Sequence, residues 1–203
     1  IPDALHSLRA EVSGHGFSFI SIGPAGESLV RYANLSDNTG RVAGRTGLGA
    51  VFGSKNLKAI VIRGTSRVVV KHKEELAAYI KDLADRLQRP EVAVYGWSGS
   101  VRGVASLVGK DALPQVNFQS TESHGVYQQL GDDLLQQSTD LRHGCIGCPV
   151  KCEHRFERPR IANKNRAVRL EYQTVFALGP LCGVDDLSTI TEAAGLCDDL
   201  GMD

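Results

Sequence analysis

Residues 44–65 read GRTGLGAVFGSKNLKAIVIRGT, a glycine-rich segment followed by an apolar run. The run from Leu57 to Arg63 predicts a buried strand, because its centre is a continuous apolar stretch of β-branched residues. In the glycine-rich segment, Gly44–Gly53, the backbone can approach a phosphate closely and hold it with free N–H groups. Arg45 can bind a phosphate bidentately, and Lys55 adds a second positive charge.

The spacing of these glycines does not by itself identify a phosphate-binding loop. Gly44-x-x-Gly47-x-Gly49 is neither the spacing of a dinucleotide-binding loop nor that of a Walker loop. A glycine-packed turn before a strand explains the same residues. From the residues alone, phosphate binding and simple turn formation both stay open.

Outward from this stretch, the pattern of apolar residues divides the chain near His72. Residues 1–72 are predicted to be strands joined by glycine turns, and residues 73–203 to be mostly helical. The sequence therefore predicts an α+β fold with two domains, 1–72 and 73–203. In the first part the pattern predicts a helix at Pro2–Val12, strands at Phe17–Ser21, Leu29–Ala33 and Arg67–Val70, a turn at Gly23–Gly26 and a polar loop at Ser36–Gly40.

The second part carries a helical pattern over most of its length. Lys73–Leu87 is predicted to be an amphipathic helix, because apolar residues recur on one stripe. Gly96–Gly109 is rich in Gly and Ser and gives no assignable pattern, and Arg155–Arg169 predicts an exposed basic loop. Further helices are predicted at Val126–Gln137, Glu171–Leu178 and Asp186–Leu200, the last with Ser188 or Asp185 as its N-cap.

The composition is that of an ordinary globular protein of 203 residues, and it argues against several function classes. Lys+Arg and Asp+Glu each number 23, so the net charge is zero and no nucleic-acid-binding surface is expected. No apolar run approaches the roughly 20 residues that a membrane helix needs. Because the sequence starts at Ile1 and stops at Asp203 without a tail, we expect a fragment of a longer protein.

Three of the five cysteines crowd into one segment, Cys145-Ile-Gly-Cys148-Pro-Val-Lys-Cys152. A secreted disulfide framework has an even and spread set of cysteines, so reduced, metal-binding thiols in the cytoplasm fit better. The C-x2-C-x3-C spacing lets three thiolates bind one face of a [4Fe–4S] cluster, with the fourth ligand supplied from elsewhere.

Two alternatives stay open for these thiols. One is structural zinc, with His143 or His154 as a further ligand, although the chain has no second ligand pair. The other is buried cysteine without a metal. Cys182 and Cys197 lie singly in apolar helical surroundings and are expected in the core, and Cys197 is the one thiol in the chain that could be a fourth ligand.

The last segment, Asp198-Asp-Leu-Gly201-Met-Asp203, places carboxylates around a glycine. A helix that ends at Gly201 would bring Asp198 and Asp203 to one side of its C-terminal turn. There the carboxylates can accept hydrogen bonds from the N–H groups of a heterocycle. A solvated helix end explains the same residues.

In this order along one chain, these segments resemble the tungsten-containing aldehyde:ferredoxin oxidoreductase family. Residues 44–65 are similar to the family's pterin-loop signature, and residues 198–203 are similar to the first of its two D-x-x-G-L-[D/C] pterin motifs. The cysteine run matches the first three cluster ligands. Further similar segments are Ile22–Glu27, Ala112–Phe118, Leu170–Tyr172 and Gly183–Asp186.

The resemblance implies the end of a β-rich pterin-binding base domain followed by the start of a mostly α-helical domain. It implies two pyranopterin dithiolenes on one tungsten (or molybdenum) atom, a magnesium ion that bridges their phosphates, and a [4Fe–4S] cluster that passes electrons to ferredoxin. The implied site residues are Arg45, Thr46 and Gly47 at a pterin phosphate, with the Thr46 carbonyl on magnesium; Asp198, Gly201 and Asp203 at a pterin ring; and Cys145, Cys148 and Cys152 at the cluster.

The reaction that the resemblance implies is the oxidation of a small aldehyde by water to a carboxylate, of the EC 1.2.7 type. We expect a cytoplasmic enzyme with ferredoxin as its electron acceptor and with neither nucleic acid nor membrane as a partner. A homodimer is left open as the oligomeric state.

The chain also departs from the family. In the family, the fourth cluster cysteine and the second pterin motif lie beyond the position of Asp203. Many relatives carry an acid where this chain has Gln173, whose amide cannot act as a general base. Either Glu171 takes the proton-accepting role, or the chemistry differs, as in tungsten subunits that reduce aromatic acyl-CoA rings. A non-catalytic electron-transfer subunit with the cluster alone is the remaining alternative.

Overall fold

The computed structural model describes Ser7, Ala10 and residues 16–66, 68–122, 126–137, 143–156 and 167–203. The predicted helix at Pro2–Val12 therefore lies almost wholly outside the described residues. The chain divides into two compact units. Unit 1 consists of residues 1–69 with residues 195–203, and unit 2 of residues 70–194.

Unit 1 contains an antiparallel sheet of four strands. The strands are β1 (Phe17–Ser21), β2 (Leu35–Asp37), β3 (Val42–Ala43) and β4 (Ala59–Arg63), in the order β3-β2-β1-β4. Strand β1 pairs along its whole length with β4, from Phe17 opposite Arg63 to Ser21 opposite Ala59. The predictions of strands at Phe17–Ser21 and within Leu57–Arg63 are confirmed, because both runs alternate or concentrate apolar residues as sheets require. The prediction that the second strand is buried is wrong, since Val61, Ile62 and Arg63 are exposed.

Two short helices connect these strands where the sequence predicted turns. They are α1 (Pro24–Glu27) and α2 (Leu48–Ser54), and a 3₁₀ turn at Arg45–Gly47 leads into α2. The prediction of a turn at Gly23–Gly26 is wrong, because Pro24 fits the first position of a helix. Within Gly44–Gly53, the glycines allow a helix to lie against neighbouring backbone. A Cβ at Gly49 would lie 2.6 Å from the carbonyl oxygen of Asn34.

The predicted strand at Leu29–Ala33 is wrong as well. Leu29 has a left-handed backbone (φ 59°), which an extended strand does not accommodate. The segment instead forms turns after α1, and only Ala33 makes a β-bridge, with Met202. The predicted strand at Arg67–Val70 is also absent over residues 68–70, whereas Arg67 lies outside the described residues.

Unit 2 is built mainly from helices. They are α3 (Lys73–Leu87), α4 (Pro90–Ser98), α5 (Arg102–Val108), α6 (Gln128–Gln136), α7 (Tyr172–Leu178) and the first part of α8 (Leu187–Leu200). A two-stranded antiparallel ladder joins β5 (His154–Phe156) to β6 (Val168–Leu170), and a 3₁₀ turn occupies Pro180–Cys182. The predicted helices at Lys73–Leu87, Val126–Gln137, Glu171–Leu178 and Asp186–Leu200 are confirmed to within two residues at each end.

The core of unit 2 is formed by apolar side chains of α5, α6, α7, α8 and the β5–β6 ladder. Its fully enclosed members include Val104, Leu130, Val175 and Ile190, each with no exposed surface. Burial of such side chains is the main favourable contribution to folding of this unit. Helix α3 has no buried residue, so its apolar stripe stands outside this core.

Four further expectations for unit 2 change. Cys182, expected in the core, is exposed. The unassigned segment Gly96–Gly109 contains the end of α4 and all of α5. Both ends of the predicted loop Arg155–Arg169 are strands, and its middle lies outside the described residues. The N-cap of α8 is Asp186 rather than Asp185 or Ser188, because Asp186 Oδ2 accepts the backbone N–H of Thr189 at 2.7 Å. Within the described part of the chain, no helix is long and apolar enough to cross a membrane.

Candidate functional site

The glycine loop and the C-terminal carboxylate segment meet within unit 1. A Cβ at Gly44 would collide with the carboxylate of Asp203, so glycine is the residue that allows this approach. A Cβ at Gly47 would similarly collide with the carbonyl oxygen of Arg31. The structure therefore places Asp203 beside the segment that carries Arg45 and Thr46.

A short segment, residues 32–34, connects these two parts of the site. The backbone N–H of Asn34 donates to the carbonyl of Gly201 at 2.9 Å, and its side-chain amide donates to the carbonyl of Met202 at 2.9 Å. The N–H of Asp203 donates to the carbonyl of Tyr32 at 3.1 Å. On its other side, the carbonyl of Ala33 accepts the N–H of Gly49 at 2.9 Å. Segment 32–34 thus holds residues 201–203 against the start of α2.

The loop itself has an unusual backbone. Thr46 has φ 76° and Gly47 has φ 69°, so two consecutive residues adopt left-handed conformations. For a β-branched residue such as Thr this conformation is strained, and strain of this kind is concentrated at functional sites. Arg45 and Thr46 are both exposed, so their polar groups are open to a ligand.

The end of α8 turns as the sequence predicted. Gly201 has φ 77°, and the carbonyl of Cys197 accepts the N–H groups of Gly201 and Met202, both at 2.9 Å. Asp198 and Asp203 are exposed. Burial raises the pKa of the Cys197 thiol, and the charges of Asp198 and Asp203 raise that pKa further. The carboxylates of Asp198 and Asp203, both predicted to bind a pterin, therefore lie near the same thiol at one helix end.

The cysteine segment of unit 2 is a loop with a closed base. The backbone N–H of His143 donates to the carbonyl of Glu153 at 3.2 Å, and the N–H of Glu153 donates back to His143 at 3.0 Å. Inside the loop, Cys148 N–H donates to the carbonyl of Cys145 at 2.9 Å. Positive φ angles at Gly147 (76°) and Lys151 (51°) turn the chain between the thiols.

A buried carboxylate supports this base. Glu153 is 4% exposed, and its two oxygens face Arg155 Nη2 at 3.4 Å and Arg169 Nη1 at 3.7 Å. The two arginines come from β5 and β6, so the ion pairs connect the loop to the strand ladder. A buried carboxylate needs such partners because desolvation of an unpaired charge is costly.

The three thiols differ in exposure. Cys145 is exposed, whereas Cys148 and Cys152 are half-buried. Burial raises the pKa of the Cys152 thiol, the charge of Glu171 raises it further, and smaller contributions come from Cys148 and Cys145. Among the residues that the structure describes, no three His, Cys, Asp or Glu side chains are already arranged around one metal position.

Glu171 immediately precedes α7 and is held by a serine. Ser100 Oγ donates to Glu171 Oε2 at 2.7 Å and accepts the backbone N–H of Tyr172 at 3.1 Å. Gln173 is exposed on the first turn of α7. Its amide can hydrogen-bond but cannot accept a proton as a base.

Glycines of α4 and α5 fit closely against this region. A Cβ at Gly96 would lie 2.5 Å from the carbonyl oxygen of Val150, and a Cβ at Gly103 would lie 3.0 Å from the Tyr172 ring. A Cβ at Gly99 would lie 2.7 Å from Cδ2 of His154 and 3.3 Å from the carbonyl oxygen of Cys152. The Gly/Ser-rich segment therefore packs against both the cysteine loop and α7.

Sequence reasoning missed the residues that support the site. Asn34, Ser100 and Glu153 belong to no motif, and their roles depend on partners far away in sequence. The signal that was present is the glycine content of residues 96–103, since close backbone packing requires glycine. That content could not identify which segments the glycines would contact.

Family models match most of the chain. A model described as aldehyde ferredoxin oxidoreductase, N-terminal domain, matches residues 2–64. A second, described as aldehyde ferredoxin oxidoreductase, domains 2 and 3, matches residues 77–203. The chain belongs to the aldehyde ferredoxin oxidoreductase family. This family assignment agrees with the resemblance found in the sequence.

Named relatives in this family are considerably longer than the chain. It is 34% identical to the tungsten-containing aldehyde ferredoxin oxidoreductase of Pyrococcus furiosus, over 97% of the chain and 32% of that protein. The enzyme of the same name in Pyrococcus abyssi is 36% identical, over the same shares. A third relative, the WOR-like subunit of an aliphatic sulfonate oxidoreductase from P. furiosus, is 25% identical over 92% of the chain and 30% of its own length. The chain thus spans about a third of the length of these family members.

A solved structure has the same fold. The active-site complex BamBC of benzoyl coenzyme A reductase, in complex with 1,5-dienoyl-CoA, contains a chain that matches with a TM-score of 0.75 and 20% identity. The match covers 100% of this chain and 32% of that one. The α+β arrangement of helices and antiparallel sheets is thereby shared with another protein.

Proposed function

We propose that the chain is part of an oxidoreductase that oxidises an aldehyde to a carboxylate at a tungsten–bispterin site, with ferredoxin as the electron acceptor. The observation that carries the proposal is the approach of Gly44 to Asp203, because it joins two motifs of the family resemblance in one site. The balanced reaction is RCHO + H2O → RCOO⁻ + 3 H⁺ + 2 e⁻. When bound, the metal, pterins and cluster supply the electron acceptor and the path by which the two electrons leave.

The residues of unit 1 fit a pterin phosphate and ring in their chemistry. Arg45 would offer a bidentate donor to a phosphate, from a loop whose backbone is left-handed at Thr46 and Gly47. Asp198 and Asp203 offer exposed carboxylates to the N–H groups of a heterocycle. The Thr46 carbonyl is proposed as a magnesium ligand, since hard cations prefer oxygen donors.

The cysteine loop fits a [4Fe–4S] cluster in donor type. Cys145, Cys148 and Cys152 present soft thiol ligands within one loop whose base is closed by backbone hydrogen bonds. Zinc stays the alternative occupant of this loop. His154 is 2% exposed and packed against Gly99, whereas His143 is exposed at the base of the loop.

Glu171 is the proposed proton acceptor of the reaction. It is half-buried and hydrogen-bonded, and Gln173 cannot fill this role. The presence of Gln173 also favours a second chemistry. The family resemblance implies an acid at the position of Gln173, which is an exposed amide here. This departure suits a family member that does not oxidise aldehydes, such as one that reduces an aromatic acyl-CoA ring.

The proposal is tested on the complete protein, purified without oxygen. We expect tungsten or molybdenum, pterin and about four irons per chain, with aldehyde-dependent reduction of ferredoxin. Asp203→Asn should lose pterin and tungsten, whereas Asp199→Asn, at a variable position of the same motif, should keep both. Zinc without iron would refute the proposal. Iron without pterin would identify an electron-transfer subunit, and activity only with an aromatic acyl-CoA would favour the second chemistry.

A further inference from the structure

We infer that Asn34 is a positioning residue for Asp203, and that its side-chain amide fixes the Asp203 carboxylate at the proposed pterin site. The inference rests on the proposed function, because Asp203 is one of the carboxylates proposed to bind a pterin ring. It assigns a role to a buried amide that belongs to none of the sequence motifs.

The peptide group between Met202 and Asp203 is held on both of its polar sides. Its carbonyl accepts a hydrogen bond from Asn34 Nδ2 at 2.9 Å, and its N–H donates to the carbonyl of Tyr32 at 3.1 Å. The preceding carbonyl, that of Gly201, accepts the backbone N–H of Asn34 at 2.9 Å. Because a peptide group is planar, fixing both of its polar atoms fixes the plane from which the Cα atom of Asp203 extends.

Asn34 also contacts the glycine-rich segment on the other side of the proposed site. A Cβ at Gly49 would lie 2.6 Å from the carbonyl oxygen of Asn34, and the N–H of Gly49 donates to the carbonyl of Ala33 at 2.9 Å. A Cβ at Gly44, in the same segment, would collide with the Asp203 carboxylate. Residue 34 therefore touches both segments that the pterin is proposed to use, and its amide sets how Asp203 meets the glycine-rich one.

Stability alone does not explain the burial of this amide. Asn34 is 2% exposed, and its Oδ1 accepts no hydrogen bond from any residue that the structure describes. A buried acceptor without a partner is unfavourable, and the side chain makes a single hydrogen bond, to Met202, within the described part of the chain. Locally unfavourable residues of this kind are characteristic of functional sites, where a required geometry outweighs stability.

The test compares bound pterin with stability in the complete protein, purified without oxygen. Asn34→Ala removes the amide and should lose most of the pterin and tungsten per chain. Its midpoint of unfolding by urea, measured on protein produced without the cofactor, should fall only slightly. Met202 is half-buried, so water can take the place of the lost donor. Asn34→Asp has the same shape but presents an acceptor to the Met202 carbonyl, so it should lose pterin as well.

Leu35→Ala is the matched control for a loss of stability. Leu35 follows Asn34 at the start of β2 and is 8% exposed, so its truncation leaves a cavity and should lower the midpoint further than Asn34→Ala does. Its pterin content should nevertheless stay closer to that of the wild type, because the hydrogen bonds from segment 32–34 to residues 201–203 remain.

Asn34→Gln tests whether the donor itself matters. It supplies an amide on a longer side chain, and it should recover part of the pterin that Asn34→Asp loses. If Asn34→Ala does not accumulate, the comparison of Asn34→Gln with Asn34→Asp carries the test.

The outcomes separate this inference from the proposed function. Wild-type protein without pterin would overturn the proposed function. A wild-type pterin content in Asn34→Ala would overturn the inference while leaving that function intact. Pterin contents that follow the unfolding midpoints across the variants would show a merely structural role and would overturn the inference too, as would equal losses in Asn34→Gln and Asn34→Asp.

Discussion

The carboxylate of Asp203 lies so close to Gly44 that a Cβ at residue 44 would meet it and one of the two would have to shift. The two residues are far apart in sequence, and segment 32–34 brings them together through backbone and side-chain hydrogen bonds. The close approach makes Gly44 the position at which the proposed pterin site can be tested most directly.

Gly44→Ala should displace Asp203 and weaken pterin binding. The added methyl group would meet the carboxylate, and one of the two must move. We expect a lower tungsten content per chain in the complete protein, measured by elemental analysis. Gly64→Ala is the control, because a Cβ at Gly64 meets nothing within 4 Å. Equal tungsten contents in the two variants would contradict the prediction.

Thr46→Gly should stabilise the protein while impairing the loop. A left-handed conformation costs a non-glycine residue about 1–2 kcal/mol, and glycine avoids this cost. Glycine also gives the unfolded chain more freedom, which offsets part of the gain. We expect a higher midpoint of unfolding by urea. Thr46→Ala keeps a Cβ at φ 76° and should show no comparable gain. A gain of the same size in Thr46→Ala would mean that strain at this residue is not the cause.

Asp186→Ala should destabilise unit 2 by about 1 kcal/mol, as expected for loss of an N-cap. Asp186 accepts both the N–H and the hydroxyl of Thr189, and these hydrogen bonds lower its pKa below the usual 3.8. The contribution is therefore present at neutral pH and is lost as the pH falls through the lowered pKa. Unfolding curves at pH 7 should separate wild type from variant, and curves in strong acid should converge. Asp185→Ala should have little effect.

Arg169→Ala should be more costly than removal of a surface ion pair. It leaves Glu153, whose side chain is 5% exposed, with a weaker set of partners, and we expect a loss of about 1–3 kcal/mol. Lys81→Ala breaks an ion pair with Asp85 in which the Lys81 side chain is 80% exposed and the Asp85 side chain 62% exposed. Its loss should lower the free energy of unfolding by about 0.5 kcal/mol or less. The measurement is the free energy of unfolding for each variant. Equal losses would show that burial of Glu153 contributes nothing extra.

The sequence predicted the elements that local pattern determines. Lys73–Leu87 was predicted to the residue, because its apolar stripe is long and periodic even though no partner buries it within the described structure. The end of α8 at Gly201 was also predictable, since glycine at that position terminates a helix in a characteristic way.

The errors arise where distant contacts decide the structure. Leu29–Ala33 reads as a strand by composition, but its end is tied to residues 202 and 203 rather than to a neighbouring strand. Gly44–Gly53 reads as a turn, yet its glycines permit a helix that touches the backbone of Asn34. For the site, the sequence motifs identified the residues of ligand type. The supporting roles of Asn34, Ser100 and Glu153 could be identified only from the structure.

The reliance of the loop on residues 201–203 also constrains the order of events during synthesis. Residues 44–47 leave the ribosome long before the segment that Asn34 holds against them. Contacts between distant segments form late, since the intervening chain must first be closed into a loop. A cofactor that uses both segments therefore cannot be inserted while translation is still upstream of Asp203, so its delivery must follow synthesis and folding of this region.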